Sequence, residues 1–489
     1  MKAAAPTSCP QCRLLQEQLE AQRALLEAQQ AQLDTQQAQL ESLQATMARL
    51  QEQLAAARKN SSTSSKPPSS DIVKPPKVPT TEETRRSQGG QPGHPKHERA
   101  PFPAELVNDF FDHRPGPCCP DCGHDLRPTG FGPRIIQQVD VPEVPLYIEE
   151  HRCHEAYCPQ CQKVHYGCLP LPIQRGGMLG PRLTTLVAYL KGVCHASYST
   201  VRKFLRDVIG LTISRGQLAK VISKVTEAME QAWRELLEEL PGQAILNVDE
   251  TGHKDRGDRM WTWCFRASLF TLFKIDPTRS GDVLIKVLGE EFEGVLGCDF
   301  YSAYRRYMRE FDVRLQFCMA HLIREVKYLT TLPDGPTKAY GERFREALRH
   351  LFQVIHQREQ LPQAVFQSRL EAARREVIRQ ATQNVPPTRL AANLAARMEK
   401  FGEGYFRFIT TPGLEPTNNS AEQAIRFVVI DRHITQGTRG EKGQHWCERI
   451  WTVIATCVQQ GRSVWEYLEA TVQAYFTGEQ GPTLLPATT

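Results

Sequence analysis

Ala244-Ile-Leu-Asn-Val-Asp-Glu-Thr-Gly252 and Gly294-Val-Leu-Gly-Cys-Asp-Phe-Tyr-Ser-Ala-Tyr304 decide the fold class, because each opens on a short apolar run that stops at an aspartate. Ala244 to Val248 and Gly294 to Cys298 read as strands. Between them, Met260 to Ile275 reads as two further strands bearing aromatics, and Asp282 to Leu288 as a helix. This order predicts a mixed α/β sheet over residues 241–335. Asp249 and Asp299 end their strands, so both carboxylates are expected on one rim of the sheet. Glu422, in the helix start Asn418-Asn-Ser-Ala-Glu-Gln-Ala-Ile-Arg426, is a third acid that can meet them there. Converging carboxylates of this kind hold Mg²⁺ or Mn²⁺ for phosphodiester chemistry.

Each acid also has a plainer reading. Glu422 falls where the N3 partner of a helix cap would sit, and Asp299 can cap the helix that follows it. Asp249 is followed by Glu250, and successive strand residues face opposite ways, so only one of them looks to the rim.

The flanking segments are of other kinds. From Arg13 to Lys59 there is no Gly or Pro, and Leu19, Leu26, Leu33, Leu40, Met47 and Leu54 recur every seven residues. The companion seam holds Leu15, Leu43 and Leu50, interrupted by Gln22, Gln29 and Gln36. A sustained heptad of this type predicts a dimerising coiled coil over 13–59; the other reading is one long helix lying on its own protein. Residues 60–100, rich in Ser, Pro, Gly and Lys, read as a basic disordered linker. Residues 173–240 are helical in pattern, and Tyr198 to Leu205, a break at Gly210 and Ser214 to Ile222 suggest a helix-turn-helix. Residues 336–400 form an Arg-, Ala- and Leu-rich helical insertion, 401–435 return to the sheet domain, and 436–489 are a helical tail.

Within 101–172, Cys119-Pro-Asp-Cys122 and Cys158-Pro-Gln-Cys161 are two C-P-x-C knuckles, the ligand set of a structural Zn²⁺ site. The 35 residues between the pairs exceed the usual spacing, and a β-hairpin from Ile135 to Glu150 is expected to fill the gap. A third knuckle, Cys9 to Cys12, has no partner pair nearby. Fifteen cysteines, an odd number, fit thiols and metal ligands better than a disulfide framework.

Net charge is +5 over 489 residues, too mild to name a partner, but its distribution is uneven. Arg58 to Arg99 has net charge +5 and residues 338–400 have +6, leaving −6 for the remainder. Both basic segments suit contact with phosphates. No run approaches eighteen apolar residues, and Met1 to Cys12 contains no apolar core of a secretion signal, so a cytoplasmic protein is expected.

Taken in order, the heptad helix, the Ser-Ser-Lys-Pro-Pro-Ser-Ser-Asp71 linker, the knuckles, Val-Asp-Glu-Thr251, Asp-Phe-Tyr-Ser-Ala-Tyr304 and Asn-Asn-Ser-Ala-Glu-Gln-Ala-Ile-Arg426 resemble the insertion-sequence-66 family of bacterial transposases. The resemblance implies a multidomain α+β protein with a ribonuclease-H-like catalytic domain and a DDE site of Asp249, Asp299 and Glu422. It implies binding of the inverted repeats at the ends of a mobile element, metal-dependent cleavage and strand transfer in the bacterial nucleoid, and accessory transposition proteins. The 122 residues between Asp299 and Glu422 suit an inserted domain. Arg426, one turn after Glu422, is a candidate phosphate contact or ion-pair partner of Glu422. Cys318-Met-Ala-His321 is similar to the family's C-x-x-H element, which makes Cys318 and His321 auxiliary candidates. Ile430 to Gly437 and Gly443 to Trp451 depart from the family's pattern. An inactive zinc-containing DNA-binding regulator and a ribonuclease-H-like nuclease without strand transfer are the rival readings.

Overall fold

A computed structural model of the chain describes residues 10–57, 103–107, 146–158, 160, 162–166 and 168–485. The linker 60–100 and Cys9, Cys119, Cys122 and Cys161 lie outside the described residues.

In chain order the elements are helix α1 (Pro10–Ala57), strands β1 (Glu155–Cys158) and β2 (Lys163–Tyr166), helices α2 (Leu171–Gly176), α3 (Pro181–Gly192), α4 (Tyr198–Phe204), α5 (Arg215–Ala228) and α6 (Glu230–Glu239), and strands β3 (Ile245–Asp255), β4 (Asp258–Arg266) and β5 (Thr271–Asp276). There follow α7 (Asp282–Leu288), β6 (Val295–Cys298), α8 (Ser302–Phe311), β7 (Arg314–Phe317), α9 (Met319–Leu329), α10 (Gly335–His356), α11 (Gln363–Thr382), α12 (Arg389–Phe406), α13 (Asn419–Thr435), α14 (Glu441–Gln459) and α15 (Val464–Thr477). They belong to two compact units, one drawn from 76–169 and 199–215 and the other from the rest of the chain.

In the smaller unit β1 and β2 form an antiparallel hairpin, with Cys158 closing β1 opposite Lys163. The hairpin expected to end at Glu150 has no strand in its described part, residues 146–150. Helix α4 runs on into a π-type turn, Leu205–Ile209, closed by Gly210 at φ 79°. That left-handed conformation suits glycine and ends the helix where the sequence breaks.

In the larger unit α1 is a single 48-residue helix of Ala, Leu, Gln and Glu, about 72 Å long. Its heptad stripe is open: Leu19, Leu26, Leu33, Leu40, Met47 and Leu54 are 52–64% exposed.

The sheet has five strands in the order β5-β4-β3-β6-β7. The first three are antiparallel; β6 and β7 run parallel to β3. The strand predicted to stop at Val248 continues to Asp255. Its polar half, Asp249 to Asp255, reads as loop in isolation but pairs along its whole length with the aromatic-rich β4. A two-residue turn joins them, with Arg256 at φ 52° and Gly257 at φ 98°, the hand that matches strand twist.

Alternation sorts β3 between two helical layers. Leu246, Val248 and Glu250 are buried on the face that also receives Trp263, Phe265 and Tyr304 of α8. Asp249, Thr251 and His253 look to the other face, where Arg432 of α13 bonds Thr251 and Trp451 of α14 meets His253 and Phe273 edge-on.

Both sheet edges are covered. On β5 the outward N–H groups of Thr271, Phe273 and Ile275 donate to Thr456, Thr452 and Glu448 of α14 at 3.1, 3.0 and 2.7 Å. Four residues of helix rise by about 6 Å and two residues of strand by nearly 7 Å, so a helical i, i+4 ladder can serve alternate strand positions. On β7 the amide of Gln316 donates to Tyr405 O and accepts from Phe408 N, at 3.0 and 2.9 Å. These contacts carry α12 past the predicted limit of the insertion at residue 400 to Phe406, and Gly404 permits its backbone to approach Phe317.

Candidate active site

Register builds the site. Asn247 of β3 pairs with Gly297 of β6 in parallel strands. Asp249 and Asp299 each lie two residues beyond that pair, so they share a side at the same end of neighbouring strands. A Cβ at Gly297 would lie 2.3 Å from Asn247 Oδ1, so no side chain fits between the strands here.

The third acid is brought in by a set of short bonds. Asn418, buried just ahead of α13, donates its amide to Val248 O at 2.8 Å, and its backbone N–H meets Cys318 Sγ at 3.2 Å. Cys318 N–H donates to Cys298 O at 2.8 Å, and Met319 N–H to Pro416 O at 3.0 Å. Val248 and Cys298, which immediately precede Asp249 and Asp299, are thereby tied through Cys318 and Asn418 to the start of the helix that carries Glu422, four residues after Asn418. Sequence reasoning used Asn418 only as part of a motif; its role depends on contacts 170 and 100 residues away.

The plainer readings of the acids fare differently. Asp299 Oδ1 accepts the N–H of Tyr301 at 2.9 Å, so it does support the start of α8. Asp249 Oδ1 accepts the N–H of Glu250 at 3.0 Å. Glu422 makes no cap: Oε2 faces Arg324 at 3.4 Å and Oε1 faces His321 Nδ1 at 3.6 Å. Arg426 is exposed on the same helix, and among the described residues Glu422 is not its ion-pair partner.

Glu250 points to the opposite face, where its buried carboxylate accepts from Arg279 Nε at 2.7 Å and from the Tyr304 hydroxyl. Arg279 lies over the rings of Tyr301 and Trp261, at 3.9 and 4.8 Å, and Arg259 covers Trp261 at 4.7 Å. Of these groups Arg279 also acts electrostatically on Asp299, and no spacing in the sequence points to it.

Burial, followed by the charges of Glu250, Asp299 and Glu422, pushes the Asp249 carboxyl well above the usual carboxylate range. Burial and the Glu250 charge push Asp299 up to about 6, against the pull of the Tyr301 N–H, His321 and Arg279. Burial lowers His321, opposed by Glu422. Among the described residues, Glu422 Oε1 and Asn418 Oδ1 are buried without a hydrogen-bond partner. Crowded, partly desolvated acid oxygens with unfilled lone pairs are what a hard divalent cation would neutralise, so the donor set fits Mg²⁺ or Mn²⁺.

Of the proposed zinc ligands, Cys158 ends β1, and Cys119, Cys122 and Cys161 lie outside the described residues. Among the described residues no helix is long and apolar enough to cross a membrane.

Residues 10–100 match a family of unknown function (DUF6444), a span that contains α1 and the linker. No curated protein matches the chain. Residues 176–445 match the Transposase IS66 family, a span of more than half the chain that includes the sheet, the helical insertion and all the acids above. The chain belongs to the IS66 family of transposases.

Proposed function

We propose that this transposase cuts DNA at the ends of an insertion sequence and joins them to a target, with Asp249, Asp299 and Glu422 as a DDE site on a ribonuclease-H-like sheet. The observation that carries this reading is the placement of Asp249 and Asp299 two residues beyond one register pair, with Asn418 tying the helix of Glu422 to the same strand. The sheet order, with its antiparallel first three strands and parallel last two, supports it.

Asp249, Asp299 and Glu422 would hold Mg²⁺ or Mn²⁺. Bound there, the cations supply Lewis acidity and charge neutralisation at the scissile phosphate. The chain's own residues hold the acids in place: Asn418 and Cys318 lock the three segments, and Arg324 orients Glu422. Exposed Arg426 is available to a phosphate oxygen. In the first step water oxygen bonds to phosphorus and the bond to the 3′ oxygen breaks, releasing a 3′-OH. That hydroxyl then attacks a target phosphodiester, its proton passing to solvent, and displaces a new 3′-OH. No covalent protein intermediate is needed.

The remaining segments fit supporting roles. Cys119, Cys122, Cys158 and Cys161 would hold a structural Zn²⁺. The zinc module, the helices from Tyr198 to Ile222 and the two basic segments would grip element-end and target DNA, and α1 would pair protomers so that two ends are held together. Accessory proteins remain part of this reading through the family resemblance.

Asp249→Asn and Glu422→Gln should each reduce Mg²⁺-dependent cleavage of element-end DNA by at least about 10³-fold while leaving DNA binding within about threefold. Wild-type cleavage rates in both variants would refute the acid assignment. A pre-cut end with a free 3′-OH separates strand transfer from hydrolysis alone.

A further inference from the structure

Cys318 and His321 stand three residues apart at the start of α9, and their ligand atoms lie within 4.8 Å of each other and of a Glu422 oxygen. The geometry points to a second metal site, formed by Cys318, His321 and Glu422, for a borderline transition-metal ion of the Zn²⁺ class. Its effect on cleavage rests on the reading of Glu422 as the third acid; its existence does not.

Unmet demand for a partner is the first argument. His321 Nδ1 and Glu422 Oε1 are both buried and, among the described residues, both lack a hydrogen-bond partner, although they face each other at 3.6 Å. That separation is too long for a hydrogen bond. Two ligands bound at about 2.0–2.1 Å to one tetrahedral ion stand roughly 3.3 Å apart, so a small closure of the pair would admit one. Arg324 occupies Oε2 of Glu422, and Oε1 is the oxygen left over.

The second argument is donor chemistry. Cys318 is the N-cap of α9; burial raises its thiol, the N–H groups of Asn418, His321 and Ala320 oppose that, and a bound ion would displace the proton. Its sulfur already receives the Asn418 N–H at 3.2 Å, which would help hold a coordinating thiolate in place. Sulfur, imidazole and one carboxylate select Zn²⁺ over Mg²⁺, and three protein ligands leave the fourth position open.

The two sites therefore compete for one carboxylate. An ion on Cys318 and His321 draws Glu422 Oε1 away from Asp249 and Asp299, so Zn²⁺ should inhibit Mg²⁺-dependent cleavage.

The test is a Co²⁺ titration of the full-length protein as purified, comparing wild type with Cys318→Ser and His321→Gln. All three retain the knuckle cysteines, so the difference isolates this site. Wild type should take up one equivalent more than Cys318→Ser, and that extra equivalent should add thiolate-to-cobalt charge-transfer intensity above the level that Cys318→Ser reaches. Loss of outer-shell partners alone weakens metal sites by about 10–100-fold, so His321→Gln should weaken the extra equivalent by more than about 100-fold. The His321→Gln variant leaves the buried thiol intact and keeps the test decisive if Cys318→Ser fails to fold. Equal cobalt uptake with the same band in wild type and either folded variant overturns the proposal. In the activity arm, the ratio of cleavage with and without Zn²⁺ should fall in wild type and stay near one in His321→Gln, read within each protein. Cleavage that survives Glu422→Gln would sink the acid assignment while the cobalt result still decides the site.

Discussion

Asp299 links protonation to metal binding at a single side chain. Its carboxyl is held at about 6 in the fold, above the ordinary value of 3.8. A carboxyl raised in the fold favours the protonated form, so its contribution is fully present below about pH 4 and is lost as pH rises through about 6. Without metal, Asp299→Asn should therefore be more stable than wild type near pH 7.5, by about 1–2 kcal/mol, and the advantage should vanish near pH 4. Mg²⁺ should raise the melting temperature of wild type and have little effect on the variant. Thermal denaturation at the two pH values, with and without Mg²⁺, measures both. A wild type indifferent to Mg²⁺ and no more pH-sensitive than the variant would contradict the account. Asp249 and Asp299 were legible because an apolar run announces each of them. That only one of Asp249 and Glu250 faces the rim was visible, yet the Glu250 partners Arg279 and Tyr304 were not, since 29 and 54 residues of chain separate them and no periodicity connects them.

Among the elements, α14 has the least ordinary task. It satisfies the edge of β5 through Glu448, Thr452 and Thr456 rather than through another strand. Thr452→Val keeps the shape and leaves the buried N–H of Phe273 without an acceptor, which should cost about 1–3 kcal/mol. Chemical denaturation measures it, and a change below about 0.3 kcal/mol would mean that the bond is dispensable. The helix itself was readable from its apolar face, but its polar residues were not readable as strand caps, because a threonine within a helix ordinarily bonds its own backbone. The second half of β3 was hidden for a related reason. Asp249 to Asp255 has the composition of a loop, and only the facing aromatics of β4 make it a strand. The helical character of the insertion was plain from its Arg-, Ala- and Leu-rich composition, while its division into α10, α11 and α12 was not read from the sequence.

For the whole molecule, the proposed pairing of protomers rests on α1. Six apolar heptad residues that stay more than half exposed along one helix form a stripe for a partner of the same kind. Replacing Leu26 and Leu33 by Lys should convert a dimer into a monomer in analytical ultracentrifugation and abolish joint capture of two DNA ends, with cleavage of single ends less affected. An unchanged sedimentation mass would place the contact elsewhere. The charge pattern was legible at this scale as well, with basic character gathered in the linker and insertion rather than in the total.

The covered edge of β7 bears on how the insertion can be regarded. The bonds from Gln316 to Tyr405 and Phe408 make the end of the insertion the border of the sheet. Excising α10 to α12 would leave a hydrophobic strand with a free row of donors and acceptors, a template for pairing between copies. A trimmed protein would thus be expected to aggregate before its chemistry could be assayed. Loss of activity on deletion would then say nothing about DNA contact. Charge reversal on the outer faces of α10 and α11 leaves that border closed and can ask the question.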